Sequence, residues 1–281
     1  MRQLITVTVI GGDKTGVIAR ITSLLFELGA NIEAMEEQVT RGQFSMVLQA
    51  SWKASQWRPG VIQSALEKVG AELGMEIKLR TSQPHALRRV GLLVTREPHC
   101  LEALLRGFEN GTLKAKPVVV VGNRSELKPL AKAAGIPFCY LPWDDRVKGE
   151  TAALKVLEEY EVDFVVLARF MKILSPNFVW RYKNKIINIH PSLLPSFPGP
   201  QPYRQAYERG VKMAGVTAHF VTMHLDEGPI IAQAAFPVLP NMTLPKIVAA
   251  GQKLESKVLV KAVRLFLQKR LDVHWGVVRE V

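Results

Sequence analysis

The chain has 281 residues, 48% of them hydrophobic, enough to bury a core in one large domain or two smaller ones. Its net charge is +12, but Lys and Arg are scattered without a dense basic block or aromatic interleaving. That pattern argues against nucleic acid and suits an acidic small molecule or a solvated surface equally well.

No apolar run reaches the ~18 residues of a membrane span. The stretch Met1 to Ile10 lacks the charged region, apolar core and cleavage site of a signal peptide. It alternates like a strand instead. Cys100 and Cys139 show no metal or redox spacing, so a reducing, cytoplasmic setting with no membrane contact is expected.

Leu4 to Val9 alternates as a strand, and Gly11 to Gly16 reads as a turn into a helix. In that helix Val17, Ile18, Ile21, Leu24, Leu25 and Leu28 recur at helical spacing, and Gly29 sits where a helix-ending glycine belongs. Asn31 to Val39 predicts a second strand, Arg41-Gly42 a turn, and Phe44 to Ala50 a third strand. A helix over Gly60 to Leu73 and a strand over Met75 to Leu79 complete a β-α-β-β-α-β order. The glycine-rich turn lacks both the Walker ending and the dinucleotide spacing, so turn geometry accounts for it better than a phosphate cradle.

A polar stretch at Thr81 to Ala86 predicts a linker, dividing a unit at 1–82 from one at 88–281, with 83–87 between them. Beyond it, strands are expected at Val90 to Val94, Pro117 to Val121, Phe138 to Leu141 and Asp163 to Leu167. Helices are expected at Cys100 to Phe108, Ser125 to Ala134 and Lys148 to Tyr160. Alternating strands and helices imply a doubly wound, mainly parallel α/β sheet. Thr217 to Thr222 and Ile230 to Phe236 add strands, and a long amphipathic helix spans Pro245 to Leu267.

The chemistry concentrates in Asn188-Ile-His190-Pro191-Ser192-Leu-Leu-Pro195-Ser-Phe and in Asp226 of Leu225-Asp-Glu-Gly228. An amide donor binds a developing oxyanion. An imidazole moves a proton or, when charged, steadies the same oxyanion. A carboxylate orients the imidazole or accepts a proton from water. Asn-x-His alone is more often a turn or a satisfied polar pair. Here the apolar run Lys185-Ile-Ile feeds into it, and Pro191 and Pro195 stop regular structure after it. That places the pair at the carboxyl end of a strand, on one side, where open α/β sheets bind ligands. His219 reads as a supporting strand residue. Cys100 beside His99 has no orienting third group to make it a nucleophile, and no cluster has the spacing of a metal site.

These segments, with Gly215-Val-Thr-Ala-His219-Phe-Val and Asp226-x-Gly228-Pro-Ile-Ile-x-Gln233, resemble the folate-dependent formyltransferase fold. The resemblance implies Asn188, His190 and Asp226 as the catalytic set. It implies a folate pocket lined by Arg169, Met171, Lys172, Ile173 and Leu174 on one side and Thr222 and Leu225 on the other. Asp13-Lys-Thr-Gly16-Val-Ile-Ala, Gly29-Ala-Asn31-Ile and Gly42-x-Phe44-x-Met46 resemble an ACT domain of the ferredoxin-like type. Such modules pair edge to edge, which implies a homodimer or tetramer. They bind amino-acid effectors at the interface, with Asp13, Gly16, Asn31 and Ile32 as the matching positions.

An ACT module joined to this catalytic unit resembles the formyltetrahydrofolate deformylase family along essentially the whole chain. Pro98-His99-Cys100-Leu101, Leu167-Ala-Arg169-Phe-Met171-Lys-Ile173-Leu-Ser and Pro202-Tyr203-x-Gln205-Ala206 carry the likeness. The implied reaction is hydrolysis of 10-formyltetrahydrofolate to tetrahydrofolate and formate, in one-carbon metabolism and purine biosynthesis, with no metal and no bound cofactor. Val94-Thr-Arg-Glu-Pro-His-Cys also lacks the glycine-rich phosphate loop of relatives that formylate glycinamide ribonucleotide, which leaves water as the acceptor. Two places depart from the deformylases. Pro191 stands where they carry a second His, so His190-Pro-Ser-Leu-Leu-Pro-Ser is the transferase-like version, and Arg124 follows Asn123 where a His is usual. Formyl transfer to an amine therefore stays open, as do a folate and amino-acid sensor and, on charge alone, a nucleic-acid binder.

Overall fold

The computed structural model describes residues 2–40, 42–81, 87–274 and 276–281. The chain divides into two compact units, Met1–Ala86 and Leu87–Val281. The expected linker and the turn residue Arg41 lie outside the described residues, apart from Thr81 and Leu87.

The first unit comprises β1 (Arg2–Gly12), α1 (Val17–Glu27), β2 (Asn31–Thr40), β3 (Gln43–Lys53), α2 (Pro59–Leu73) and β4 (Met75–Thr81). Its sheet runs β2-β3-β1-β4, every pair antiparallel. Alternation sorts the faces. Ile5, Val7 and Val9 of β1 and Phe44, Met46, Leu48, Ala50 and Trp52 of β3 are buried in one core with Val17, Ile21 and Leu25 of α1 and Ile62, Leu66 and Val69 of α2. Gly11 and Gly12 belong to β1, not to the turn, which begins at Asp13. The sulfur of Met75 lies where a Cβ on Gly11 would stand, so a side chain at 11 would push the Met75 side chain aside.

The second unit holds β5 (Arg88–Val94), α3 (Pro98–Glu109), β6 (Ala115–Gly122), α4 (Lys128–Ala133), β7 (Phe138–Tyr140), α5 (Arg146–Glu159), β8 (Phe164–Ala168) and α6 (Pro176–Arg181). It continues with β9 (Ile186–His190), α7 (Pro202–Glu208), β10 (Met213–Phe220), β11 (Ile230–Pro237), α8 (Leu244–Leu267), β12 (Leu271–His274) and β13 (Val277–Glu280). Seven strands form one sheet in the order β11-β10-β9-β8-β5-β6-β7. The run from β9 to β7 is parallel, and β10 and β11 are antiparallel.

The central strands are covered on both faces, which is why β5, β6 and β8 read as continuous apolar runs. Leu101 and Leu104 of α3, Ala131 of α4 and Ile247, Leu259 and Val263 of α8 share one core with Val90, Leu92 and Val166. Ala153 and Leu157 of α5 and Phe178 and Val179 of α6 share the other with Leu93, Val165 and Leu167. The sheet order turns around at β5: the chain lays down β6 and β7 on one side, then β8 and β9 on the other.

Three features go beyond the sequence reading. Helix α4 starts at Lys128 rather than near Ser125, with Pro129 in its first turn. The one- and two-turn helices α6 and α7 fill the connections around β9. A two-stranded hairpin, β12–β13, follows α8. Among the described residues, no helix is long and apolar enough to cross a membrane.

Leu259 is fully buried where α8 crosses the sheet. Leu259→Ala is expected to destabilise the protein by about 2–5 kcal/mol, read as a lower urea midpoint with secondary structure retained in buffer.

Candidate active site

Strand β9 ends at His190, so Asn188 and His190 stand at the carboxyl edge of the sheet on one side, as the spacing predicts. The neighbouring strand sets their partners. In the antiparallel ladder Thr217 lies opposite His190 and His219 lies opposite Asn188.

The His219 Nδ1–H donates to the Phe220 carbonyl (2.9 Å), which leaves Nε2 to accept from the Asn188 amide nitrogen (3.2 Å). A carbonyl only accepts and an amide NH₂ only donates, so these two bonds fix a neutral ring in one tautomer. Burial holds His219 below the ordinary histidine value, against the opposing pull of the Phe220 carbonyl and Asp226. One Asn188 N–H is thereby spent on His219 and the other is left to point elsewhere. Gly228 abuts the Phe220 carbonyl so closely that a Cβ would collide with it. A side chain at 228 would therefore displace the group that orients His219.

His190 Nε2 is 3.0 Å from the Phe197 carbonyl, and Nδ1 faces Asp226 Oδ2 at 3.4 Å. Both of these neighbours are acceptors.

Asp226 takes a left-handed backbone (φ 58°), which aspartate tolerates better than most residues. Its Oδ2 also accepts from the Gly199 amide (2.9 Å), while Oδ1 lies 3.9 Å from His219 Nε2. Its side chain is only 6% exposed.

The loop after β9 is pinned by Thr217. Its hydroxyl donates to the Ser192 carbonyl (2.7 Å) and accepts from the Leu194 amide (3.0 Å) and the Gln233 side chain (2.9 Å). With the Ser192 hydroxyl bonded to the Ser196 carbonyl (2.6 Å), the loop is held in the shape that presents Phe197 to His190.

The expected pocket segment follows β8 and is fastened at both ends. The Met171 amide donates to Thr95 Oγ1 (3.0 Å), whose own hydroxyl donates to Asn123 (2.7 Å), and the Ser175 amide donates to buried Glu150 (2.6 Å). Phe170 packs edge-on against Trp143. Between these anchors Met171 and Ile173 stay 57% and 58% exposed, and Leu225 beside Asp226 stays 50% exposed. Lys172 and Thr222 are half-buried.

Two of the sequence candidates turn away from this surface. Leu174 is buried in the core, so only its backbone is available as lining. The Arg169 side chain runs inward, its Nε 3.4 Å from Glu255 Oε2 on α8.

Glu255 is wholly buried and was missed from the sequence, 86 residues from Arg169, with no local motif to mark it. It accepts from the Tyr203 hydroxyl (2.8 Å) and from His99 Nε2 (2.9 Å). Burial alone would push its carboxyl up, but His99, the Arg169 charge and Tyr203 together hold it below the usual carboxylate range. Burial and the Glu255 charge push the neighbouring Cys100 thiol up, which removes it as a thiolate nucleophile. His99, Cys100 and Glu255 bring ligand-type atoms within 4.8 Å of one another. With both Glu255 oxygens already accepting from His99 and Tyr203, that set reads as a hydrogen-bond network.

In the first unit Asp13 and Gly16 lie on the β1–α1 turn, Gly16 with φ 87°. Asn31 and Ile32 open the edge strand β2, both exposed, Asn31 donating to Glu33 (2.9 Å).

Comparison with known proteins places both units. The formyl transferase family matches residues 88–263 and the ACT domain family residues 3–80. A formyltetrahydrofolate deformylase of Bacillus subtilis (strain 168) is 38% identical over 93% of this chain and 88% of its own length. The Escherichia coli (strain K12) protein of the same name is 37% identical over 93% and 92%. The crystal structure of a formyltetrahydrofolate deformylase from Pseudomonas syringae pv. tomato aligns with all of this chain and 94% of its own, at 30% identity and TM-score 0.68. That of glycinamide ribonucleotide transformylase 1 from Symbiobacterium toebii covers 71% of this chain and 96% of its own, at 37% identity and TM-score 0.68.

A buried histidine held below its ordinary value takes up a proton only on unfolding, so its contribution to stability is complete above about pH 6.5 and is lost as pH falls below it. His219→Gln, which has no proton to take up, is expected to gain stability relative to wild type as pH drops from about 8 to about 5. Urea midpoints across that range check this, and a constant difference between the two proteins would count against it.

Proposed function

We propose a function from one premise: the chain belongs to the formyltetrahydrofolate deformylase family, an enzyme family joining an ACT domain to a formyl transferase domain. The reaction is hydrolysis of 10-formyltetrahydrofolate to tetrahydrofolate and formate. The observation that carries it is the Asn188–His190–Asp226 constellation at the carboxyl edge of the sheet, in a chain matched along 93% of its length by curated deformylases.

The pterin lies against Met171, Ile173 and Leu225, whose exposed apolar side chains flank the trio from the β8 and β10 loops. Lys172 and Thr222 supply polar contacts at its margin. A water attacks the formyl carbon and gives its proton to Asp226 Oδ1, the oxygen not bonded to Gly199. The oxyanion that forms takes the free Asn188 N–H, aimed by His219. His190, held between the Phe197 carbonyl and Asp226, stands beside that oxyanion. The proton then passes to the departing nitrogen, the carbon–nitrogen bond breaks, and formate leaves. No step uses a metal or a bound cofactor. The tetrahydrofolate returns to the one-carbon pool, and formate becomes available to purine synthesis, in the reducing cytoplasm that two unpaired cysteines suit.

The first unit supplies assembly and control. Strand β2 ends the sheet unpaired and exposes Ile32, Met35 and Val39. An open edge with apolar side chains is a template for a second strand, here that of a second copy. An amino-acid effector at that junction would meet Asp13, Gly16, Asn31 and Ile32.

Transfer to an amine is favoured by one observation, the His190-Pro191-Ser192 run shared with transferases, and a product assay separates the two. Purified protein with 10-formyltetrahydrofolate and no acceptor is expected to release formate and tetrahydrofolate in equal amounts. Asn188→Ala and Asp226→Asn should each lower turnover by about a hundred- to a thousand-fold, the usual loss when a transition-state contact is removed. Binding without release would move the assignment to a transferase. Met35→Lys is expected to lower the solution mass by light scattering while formate release persists.

A further inference from the structure

The sheet order reverses between β5 and β8, and in doubly wound sheets the crevice beyond the carboxyl ends of the strands at such a reversal is where ligands bind. Here the residue that leaves β8 at that edge turns a largely buried side chain inward. Thr95 follows β5 and Arg169 follows β8 directly. Arg169 holds a left-handed backbone (φ 62°), a conformation that favours glycine, and its side chain is only 16% exposed. The ladder pairs Leu167 with Asn188, so Arg169 and His190 lie at the same end of the sheet, on neighbouring strand ends.

From there the Arg169 side chain meets Glu255. No hydrogen bond reaches its buried Nε, so the pairing is one of charge at 3.4 Å. Tyr203 of α7 reaches the same carboxylate by lying across Gly251 of α8, where a Cβ would collide with its ring. His99 completes the set, and Ser256 bonding to the His99 carbonyl (3.0 Å) and Gln252 bonding to Glu97 (3.0 Å) latch α8 to the start of α3. Burying such charges is costly, and an apolar filling of equal volume is often at least as stable. Stability alone therefore does not explain the arrangement.

We propose that the Arg169–Glu255–Tyr203–His99 cluster is a specificity device that occupies the second-substrate side of the crevice and keeps amine acceptors from the formyl carbon, so that water takes it. The structural relatives named glycinamide ribonucleotide transformylase share the sheet, and their named acceptor is an amine carried on a ribonucleotide, which needs room beside the formyl group. Water needs none. Arg169 and Glu255 act by position and touch no reacting atom. This inference rests on the hydrolytic reading above.

The test is the partition of the formyl group. Full-length wild type, Arg169→Gly, Arg169→Lys and Gly251→Ala are each incubated with 10-formyltetrahydrofolate and excess glycinamide ribonucleotide. Formate and the N-formylated amine are then quantified by mass spectrometry. The ratio of the two products is independent of total rate, so a weakened variant still reports. Wild type and Arg169→Lys are expected to give formate with no more than a background trace of formylated amine. Arg169→Gly, which empties the crevice, and Gly251→Ala, which pushes Tyr203 off Glu255 without changing a charge, are expected to raise the share of formylated amine about tenfold or more over the wild-type background. Formate alone from Arg169→Gly and Gly251→Ala alike would overturn the cluster's role and leave hydrolysis standing. A wild type that formylates the amine, or releases no formate, would overturn the hydrolytic reading and this one with it.

Discussion

The antiparallel seam between β9 and β10 governs the arrangement of Asn188 and His190 at the end of the second unit's sheet. It sets His219 opposite Asn188 and Thr217 opposite His190, and each pairing passes its order outward. His219 fixes which Asn188 hydrogen is free. Thr217 fixes the loop that carries Phe197 and so the ring plane of His190. Glycine at 228 lets the backbone come close enough for the Phe220 carbonyl to hold His219. A shift of one residue in that register would turn both β10 side chains to the other face, leaving Asn188 without His219 and the loop after β9 without Thr217.

The polar groups at the end of β9 are buried and held by several partners. Groups already held in place need not reorganise when charge develops. His219, Asp226 Oδ2 and His190 Nε2 are each held by the backbone or by a neighbouring side chain. The apolar side chains of Met171, Ile173 and Leu225, in contrast, are left uncovered at the rim. Rigid polar groups beneath and uncovered apolar groups at the edge are the usual division of labour in a small-molecule site.

Much of this was legible in the sequence because it is local. An apolar run ending in Asn-x-His before a proline marks a strand end, and the alternation of Ile5, Val7 and Val9 marks a half-buried strand. What escaped depends on distance or on a single hydrogen. The tautomer of His219 rests on a carbonyl one residue further on and an amide one strand away. Glu255 and Arg169 meet only because α8 lies over the crevice beyond β8. The short helix at Pro176 did carry a signal, a Ser175 cap followed by proline at its first position. The hairpin after α8 did too, in the alternation of Leu271-Asp-Val-His before Gly276.

The single tautomer of His219 has a consequence for observing the site. His219 carries its hydrogen on Nδ1 and leaves Nε2 to accept from Asn188. In a spectrum of nitrogen-labelled protein that ring should show one pyrrole-like and one pyridine-like resonance. The end of the sheet thus contains a built-in reporter, silent to proton uptake until the fold loosens.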